Sequence, residues 1–151
     1  CLDFIRKFGL EPKVALLSHS NFGTYDDEGA HKMKVAAERL RGFNPDLEID
    51  GEMHAISAFN EQLRSSIYQN NHLTGRANLL IMPNMDAASI ALGLSRSITN
   101  ANMIGPYLNG LDKAAHILIP SVSARGIFNM AALTVEDSLT QRGGVQQSLL
   151  A

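Results

Sequence analysis

The chain has 151 residues, 45% apolar and 19% charged, which is the size of one domain and the balance of a folded chain rather than a disordered one. Thirteen basic and fifteen acidic residues give a net charge of −2, which argues against a nucleic-acid or anionic-membrane partner; no apolar run approaches the roughly 20 residues of a membrane span, and no signal peptide is visible. The single cysteine, Cys1, excludes an internal disulfide and a multi-cysteine metal site. Because Cys1 stands where a complete chain would open with Met, a longer parent protein is expected unless a leader was removed, with the cytoplasm as its simplest home.

In chain order, Leu2, Phe4, Ile5 and Phe8 suit a short helix closed by Gly9. Residues 14–18 (VALLS) are a continuous apolar run after Pro12 and predict a buried strand. A polar loop over 19–29 follows, with Gly23, Asp26 and Asp27 as turn formers. Residues 31–41 predict a helix with Met33, Val35, Ala36, Ala37 and Leu40 on or near one face and Gly42 as its stop. After the turn Asn44-Pro45-Asp46, residues 47–53 alternate Leu47, Ile49 and Gly51 with Glu48, Asp50 and Glu52, the pattern of a half-buried strand. A second helical pattern covers 55–68 and ends in the Asn-rich loop 69–71. Residues 77–82 (ANLLIM) are the clearest strand; Pro83-Asn84 ends it, and Asp86 is placed to cap a helix over 87–98.

A loop over 100–105 leads into an irregular stretch from Gly105-Pro106 to Gly110. Residues 116–119 (HILI) predict another short strand, closed by Pro120. Ser123 is placed to cap a last helix from 124 to about 141, with Ile127, Met130, Ala131, Leu133 and Val135 available for packing and Gly143-Gly144 as its end. Residues 145–151 read as a frayed, flexible tail. Strands alternating with helices, without a repeat or a long linker, predict one α/β domain in which helices layer on both faces of a mostly parallel sheet.

In such sheets ligands gather beyond the carboxyl ends of the strands. The first exit, Ser18-His19-Ser20-Asn21-Phe22-Gly23, offers hydroxyls, an amide and a run of backbone N–H groups to an anion such as phosphate. A turn whose serines satisfy their own backbone is the more ordinary reading. Neither a GxxxxGK[ST] nor a GxGxxG pattern is present. At the second exit, Asp50-Gly51-Glu52, two carboxylates at i and i+2 would share one strand face and suit a metal or acid–base chemistry, while a solvated strand face is the commoner case. At the third, Asn84 reads as a turn former and Asp86 as a cap. His19, His31, His54, His72 and His116 lack ligand-like spacing, so no metal site is expected, and without a G-x-S-x-G elbow a hydrolase triad on Ser18 or Ser20 has little support.

Four segments together resemble the phosphate acetyltransferase (phosphotransacetylase) family over about residues 12–135. VALLSHSNFGT is similar to its strand and Ser-x-Ser loop, and PDLEIDGEM to its Asp-Gly-Glu strand. GRANLLIMPNMDAASIA is similar to its Gly-x-Ala-Asn strand and following helix, and IGPYLNGLDKAAHIL to its Gly-Pro and Lys segment. The resemblance implies a phosphotransacetylase-like (isocitrate/isopropylmalate dehydrogenase-like) α/β/α subdomain, with residues 1–151 as the C-terminal part of that domain.

The departure from the family is as informative. Active members continue into Asp-Leu-Ser-Arg-Gly with an acidic residue soon after. Anchoring on Gly105-Pro106 and Ala131-Ala132 puts Ile119-Pro120-Ser121 in the Ser-Arg-Gly slot and Gly126 near the acid. Ile119 has no hydroxyl, and Pro120 cannot replace a guanidinium, so acetyl transfer is expected to be lost and no catalytic residue is assigned. HILIPSVSARGIFNMAALTVEDS resembles the C-terminal domain of the large bacterial NADP-dependent malic enzymes. That resemblance implies a parent that decarboxylates malate to pyruvate and CO2 with NADPH formation, its NADP and divalent metal held by an upstream malic enzyme domain and neither in this segment. It also implies acetyl-CoA or a related acyl-CoA as an allosteric effector here, and a homo-oligomer. The implied acetyl-CoA contacts are Ser18, Ser20, Asn21, Asn84, Arg96, Lys113, Ser121 and Arg125. Arg96 lies one place from the position of the family's coenzyme-binding arginine, an offset of about 100° around a helix, and Arg125 reads equally as a solvated side chain. A working phosphate acetyltransferase fragment and a purely structural dimerisation module are the alternatives.

Overall fold

A computed structural model describes residues 1–99 and 103–148, the last eight of these by backbone alone. The chain divides into two compact units, Cys1–Ser95 and Arg96–Ala151. The first holds a three-stranded parallel sheet in the order β2-β1-β3, formed by β1 (Lys13–Leu17), β2 (Glu48–Met53) and β3 (Leu79–Ile81). Its helices are α1 (Leu2–Arg6), α2 (Glu28–Phe43), α3 (Ala55–Phe59), α4 (Glu61–Ile67) and the start of α5 (Met85–Ile98).

The two-residue period of β1 divides the core. Val14 and Leu16 pack with Met33 and Ala37 of α2 and with Ile49, while Ala15 and Leu17 pack with Met53, Ala58 of α3, Leu73 and Ala77. A continuous apolar run is what a central parallel strand covered on both faces requires, so the expected α/β/α layering is the observed one. Each buried Leu or Ile contributes about 1.5–3 kcal/mol by leaving water.

Several local expectations are corrected. Helix α2 starts at Glu28, because Asp27 caps it through the N–H groups of Gly29 and Ala30 (2.8 and 3.0 Å), and it runs through Gly42 to Phe43. One glycine near a helix end costs only about 1 kcal/mol. The pattern over 55–68 breaks at Asn60, whose side chain accepts the Leu63 N–H at 3.0 Å and starts α4 as a separate helix. Asn84, rather than Asp86, caps α5, accepting the Ala87 N–H at 2.9 Å; Asp86 sits in the first turn.

The strand β2 is not half-buried: from Ile49 to Met53 every residue is buried, Asp50 and Glu52 included. Gly51 is required there. It has φ +148°, and a Cβ would lie 2.6 Å from the Leu16 carbonyl oxygen.

Arg64 of α4 is also fully buried. Its guanidinium donates to the carbonyls of Ser57 (2.9 Å), Leu73 (2.6 Å) and Gly75 (3.0 Å), and its Nε to Asn71 Oδ1 (3.2 Å).

The second unit contains α6 (Ala124–Ser148), capped by Ser123 through the Gly126 N–H at 3.1 Å. The helix continues past Gly143-Gly144, so the expected tail is helical through Ser148; residues 149–151, like 100–102 of the expected loop, lie outside the described residues. Residues 116–119 form no strand. A strand needs a hydrogen-bonding ladder, none of the described residues supplies one here, and Ile117, Leu118 and Ile119 are exposed.

Candidate functional site

Because the three strands are parallel, they exit along one edge of the sheet, and the exits bring together the loop of residues 18–27, His54, and Pro83-Asn84. The loop after β1 turns its polar groups inward. The N–H groups of residues 20–25 all have internal acceptors, in order Ser18 Oγ (3.1 Å), Thr24 Oγ1 (2.9 Å), the Glu52 carbonyl (2.8 Å), Glu52 Oε1 (2.6 Å), the Asn21 carbonyl (3.2 Å) and Ser20 Oγ (3.1 Å). The backbone run expected to offer itself to an anion is thus taken up from within, as in the turn reading.

The candidate contacts fall into two groups. Ser18, Ser20 and Asn21 stand together in this loop. Ser18 is half-buried, whereas Ser20 is buried with its hydroxyl donated to Glu52 Oε1 at 2.9 Å. Asn21 is buried, and its Oδ1 accepts the His54 N–H (2.7 Å) and the Ser57 hydroxyl (3.2 Å). Asn84 is exposed at the third exit, beside Pro83, whose carbonyl accepts from Lys32 Nζ at 2.6 Å. Arg96, Lys113, Ser121 and Arg125 belong to the second unit and are exposed. The slot residues Ile119-Pro120-Ser121 form an exposed turn closed by the Val122 N–H on the Ile119 carbonyl at 3.0 Å.

The outer rim of the β1 loop carries exposed charge. His19 Nε2 lies 2.6 Å from Asp27 Oδ2, the His19 ring tilts against Tyr25 at 5.5 Å, and His54 Nε2 lies 2.6 Å from the His19 carbonyl. The Ala30 N–H, with help from His19 and the Gly29 N–H, holds the Asp27 carboxyl below the usual carboxylate range.

The paired carboxylates of β2 do not act as a pair. Asp50 accepts from Arg41 Nη1 (2.9 Å), the Gly51 N–H (2.9 Å) and the His72 N–H (2.7 Å); Glu52 serves Ser20 and Gly23. Their donors are separate, and both carboxylates are committed to holding the fold. Among the described residues no three His, Cys, Asp or Glu side chains converge on a cation position, and no described helix is long and apolar enough to cross a membrane. A groove of about 530 Å3 lies away from this edge, at the amino end of the sheet beside Pro12, Phe43 and Glu48.

Sequence reasoning missed a buried cluster in the second unit. Asp137 Oδ2 accepts from the Tyr107 hydroxyl and from His116 Nε2 at 3.1 Å, and the Leu108 N–H donates to His116 Nδ1 at 3.3 Å, so the ring hydrogen is on Nε2. The Tyr107 and His116 rings lie 4.4 Å apart. Partners 21 and 30 residues apart leave no local signature. In sequence Asp137 reads as an ordinary charged helix residue, because the burial of a lone Asp is not visible there.

Residues 1–135 match the family described as phosphate acetyl/butaryl transferase. An NAD-dependent malic enzyme of Rhizobium meliloti is 52% identical over 134 residues, 89% of this chain and 17% of that protein. An NADP-dependent malic enzyme of Salmonella typhimurium is 48% identical over 139 residues, 91% of this chain and 18% of that protein. A solved phosphotransacetylase from Streptococcus pyogenes superposes with a TM-score of 0.85 at 28% identity, covering 91% of this chain and 42% of that one. The chain therefore spans under a fifth of the length of these two curated relatives.

Proposed function

The chain belongs to the phosphate acetyl/butaryl transferase family, and on that footing we propose that it is a non-catalytic regulatory and assembly domain of a larger malic enzyme, binding acetyl-CoA as an effector. The observation that carries this reading is the pairing of a kept scaffold with a changed slot. The strands, the β1 loop and the Gly-Pro segment are in place, while Ile119-Pro120-Ser121 stands where active members need a hydroxyl and a guanidinium. Identities of 52% and 48% to malic enzymes support the same assignment. The parent oxidises and decarboxylates malate to pyruvate in the cytoplasm as a homo-oligomer.

The nicotinamide cofactor, NADP in this reading, and a divalent metal belong to the upstream part of such a parent. The residues present do not fit either group: Asp50 and Glu52 are held by internal donors, and the chain has no glycine fingerprint for a dinucleotide. One relative named for NAD and one named for NADP match this segment at similar identity, which supports a reading in which the coenzyme site lies elsewhere in the parent.

Acetyl-CoA regulates only by binding two conformational states unequally. Titration calorimetry on the intact protein is expected to show saturable acetyl-CoA binding, with no acetyl phosphate formed from acetyl-CoA and phosphate. Lys113→Ala and Arg125→Ala are expected to weaken the response of malate turnover to acetyl-CoA. An unchanged response would reduce the domain to assembly alone. The likeness to a phosphotransacetylase favours one rival, an active acetyltransferase fragment, which phosphate-dependent acetyl phosphate formation would establish.

A further inference from the structure

The β1 loop is organised by one residue of another strand. Glu52 of β2 is 1% exposed. Its Oε1 accepts the Ser20 hydroxyl at 2.9 Å and the Gly23 N–H at 2.6 Å, and its carbonyl accepts the Phe22 N–H at 2.8 Å. Three of the four residues 20–23 are gripped by this single side chain and its backbone. The fourth, Asn21, is held by His54 and Ser57, just downstream on the same stretch of chain.

The loop does not adopt this shape by local preference. Phe22 has φ +49°, in the left-handed region that a bulky residue rarely enters. Such a conformation persists only where the surroundings enforce it. Here they do so from two sides: Glu52 fixes the backbone, and the Phe22 ring stacks on Tyr68 at 4.6 Å and 16°. The dependence is mutual. The two donors to the Glu52 carboxylate are a hydroxyl and an amide of the loop, so removing the carboxylate leaves the buried Ser20 hydroxyl with only its longer 3.4 Å bonds to Thr24 and Tyr25 and takes the acceptor from the Gly23 N–H.

We propose that Glu52 is the positioning residue of the ligand edge: its buried carboxylate sets the conformation of residues 20–23, and through it the placement of Ser18 and His19, without touching ligand. This rests on the reading that the edge takes an acyl-CoA.

The test uses the intact protein with Glu52 as found, as Glu52→Gln and as Glu52→Leu, read by amide hydrogen exchange and by acetyl-CoA calorimetry. Leu fills much of the volume without an acceptor; Gln keeps the acceptor without the charge. Glu52→Leu is expected to speed exchange of the residue 20–25 amides at least tenfold, with the α2 amides unchanged, and to raise the acetyl-CoA dissociation constant at least tenfold. Glu52→Gln is expected to restore most of both, which separates the acceptor from its volume. If Glu52→Leu does not fold, Glu52→Asp draws the acceptor back by one methylene and is expected to show smaller changes in the same direction. Unchanged loop exchange overturns the proposal, and so does a loosened loop that binds acetyl-CoA as before. If the unmodified protein binds no acetyl-CoA, the functional reading fails and the affinity claim fails with it; exchange still decides whether Glu52 holds the loop.

Discussion

Residues 18–27 and residues 103–123 both run without regular structure, but they are ordered by different means. In the first, the amides of residues 20–25 all have internal acceptors and the side chains of Ser20 and Asn21 are buried. In the second, Met103, Ile104, Leu108, Leu111, Ile117, Leu118 and Ile119 are exposed, and the polar anchoring gathers on Asp137. Outside Glu52, a network spread over many bonds tolerates the loss of one member. An anchoring concentrated on one carboxylate does not.

That difference can be broken or sharpened by substitution. The largest effect is expected from Arg64→Leu, which removes the donors of three carbonyls at once. Denaturant unfolding should show a loss of about 3–5 kcal/mol, the sum expected when several buried carbonyls lose their donors at about 1–3 kcal/mol each. Next, Asp137→Asn weakens the acceptor shared by Tyr107 and His116. A loss of about 1.5–3 kcal/mol is expected, with faster hydrogen exchange across residues 105–118 and none of that change in β1. Thr24→Val removes the acceptor of the Asn21 N–H and a longer, 3.4 Å bond with the Ser20 hydroxyl; because Thr24 is exposed, about 0.5–1.5 kcal/mol is expected from thermal unfolding. Ile117→Ser, at a side chain 62% exposed, should stay within about 0.5 kcal/mol of the parent.

A pH titration gives the smallest and most local change. The Asp27 carboxyl is held low in the folded chain, so its contribution is complete above the ordinary carboxylate pKa. It is lost only as the pH falls through the lower folded value. Exchange at the first turn of α2 should therefore rise in acid, and Asp27→Asn should remove that acid limb.

How much of this was legible beforehand follows from the range of the interactions. The run VALLS announced a strand buried on both sides because burial acts on each residue where it stands. The Ser123 cap was legible for the same reason: its acceptor and donor are three residues apart. By contrast, the alternation in β2 suggested a solvated carboxylate face, because nothing near Asp50 and Glu52 in sequence reveals Arg41, His72, Ser20 or Gly23 as donors. Residues 116–119 show the converse failure. Apolar composition marks them as strand-like, but a strand is a property of a pair, and composition carries no information about the partner. The loop after β1 and the turn at Pro83-Asn84 were legible as strand exits, and only the acyl-CoA contacts proposed for them rest on resemblance.

Arg64 bears on how this fold can vary. The connection from α4 to β3 has no ladder or helix of its own, and its carbonyls look instead to a guanidinium fork planted in α4. A side chain here substitutes for a neighbouring strand. Residues 71–75 need no strand or helix pattern of their own, only side chains suited to their places: Leu73 in the core, Asn71 on the Arg64 Nε and Thr74 between Lys13 and Glu48. The carbonyls of Leu73 and Gly75 thus share one donor residue, and a substitution at position 64 is felt by both at once.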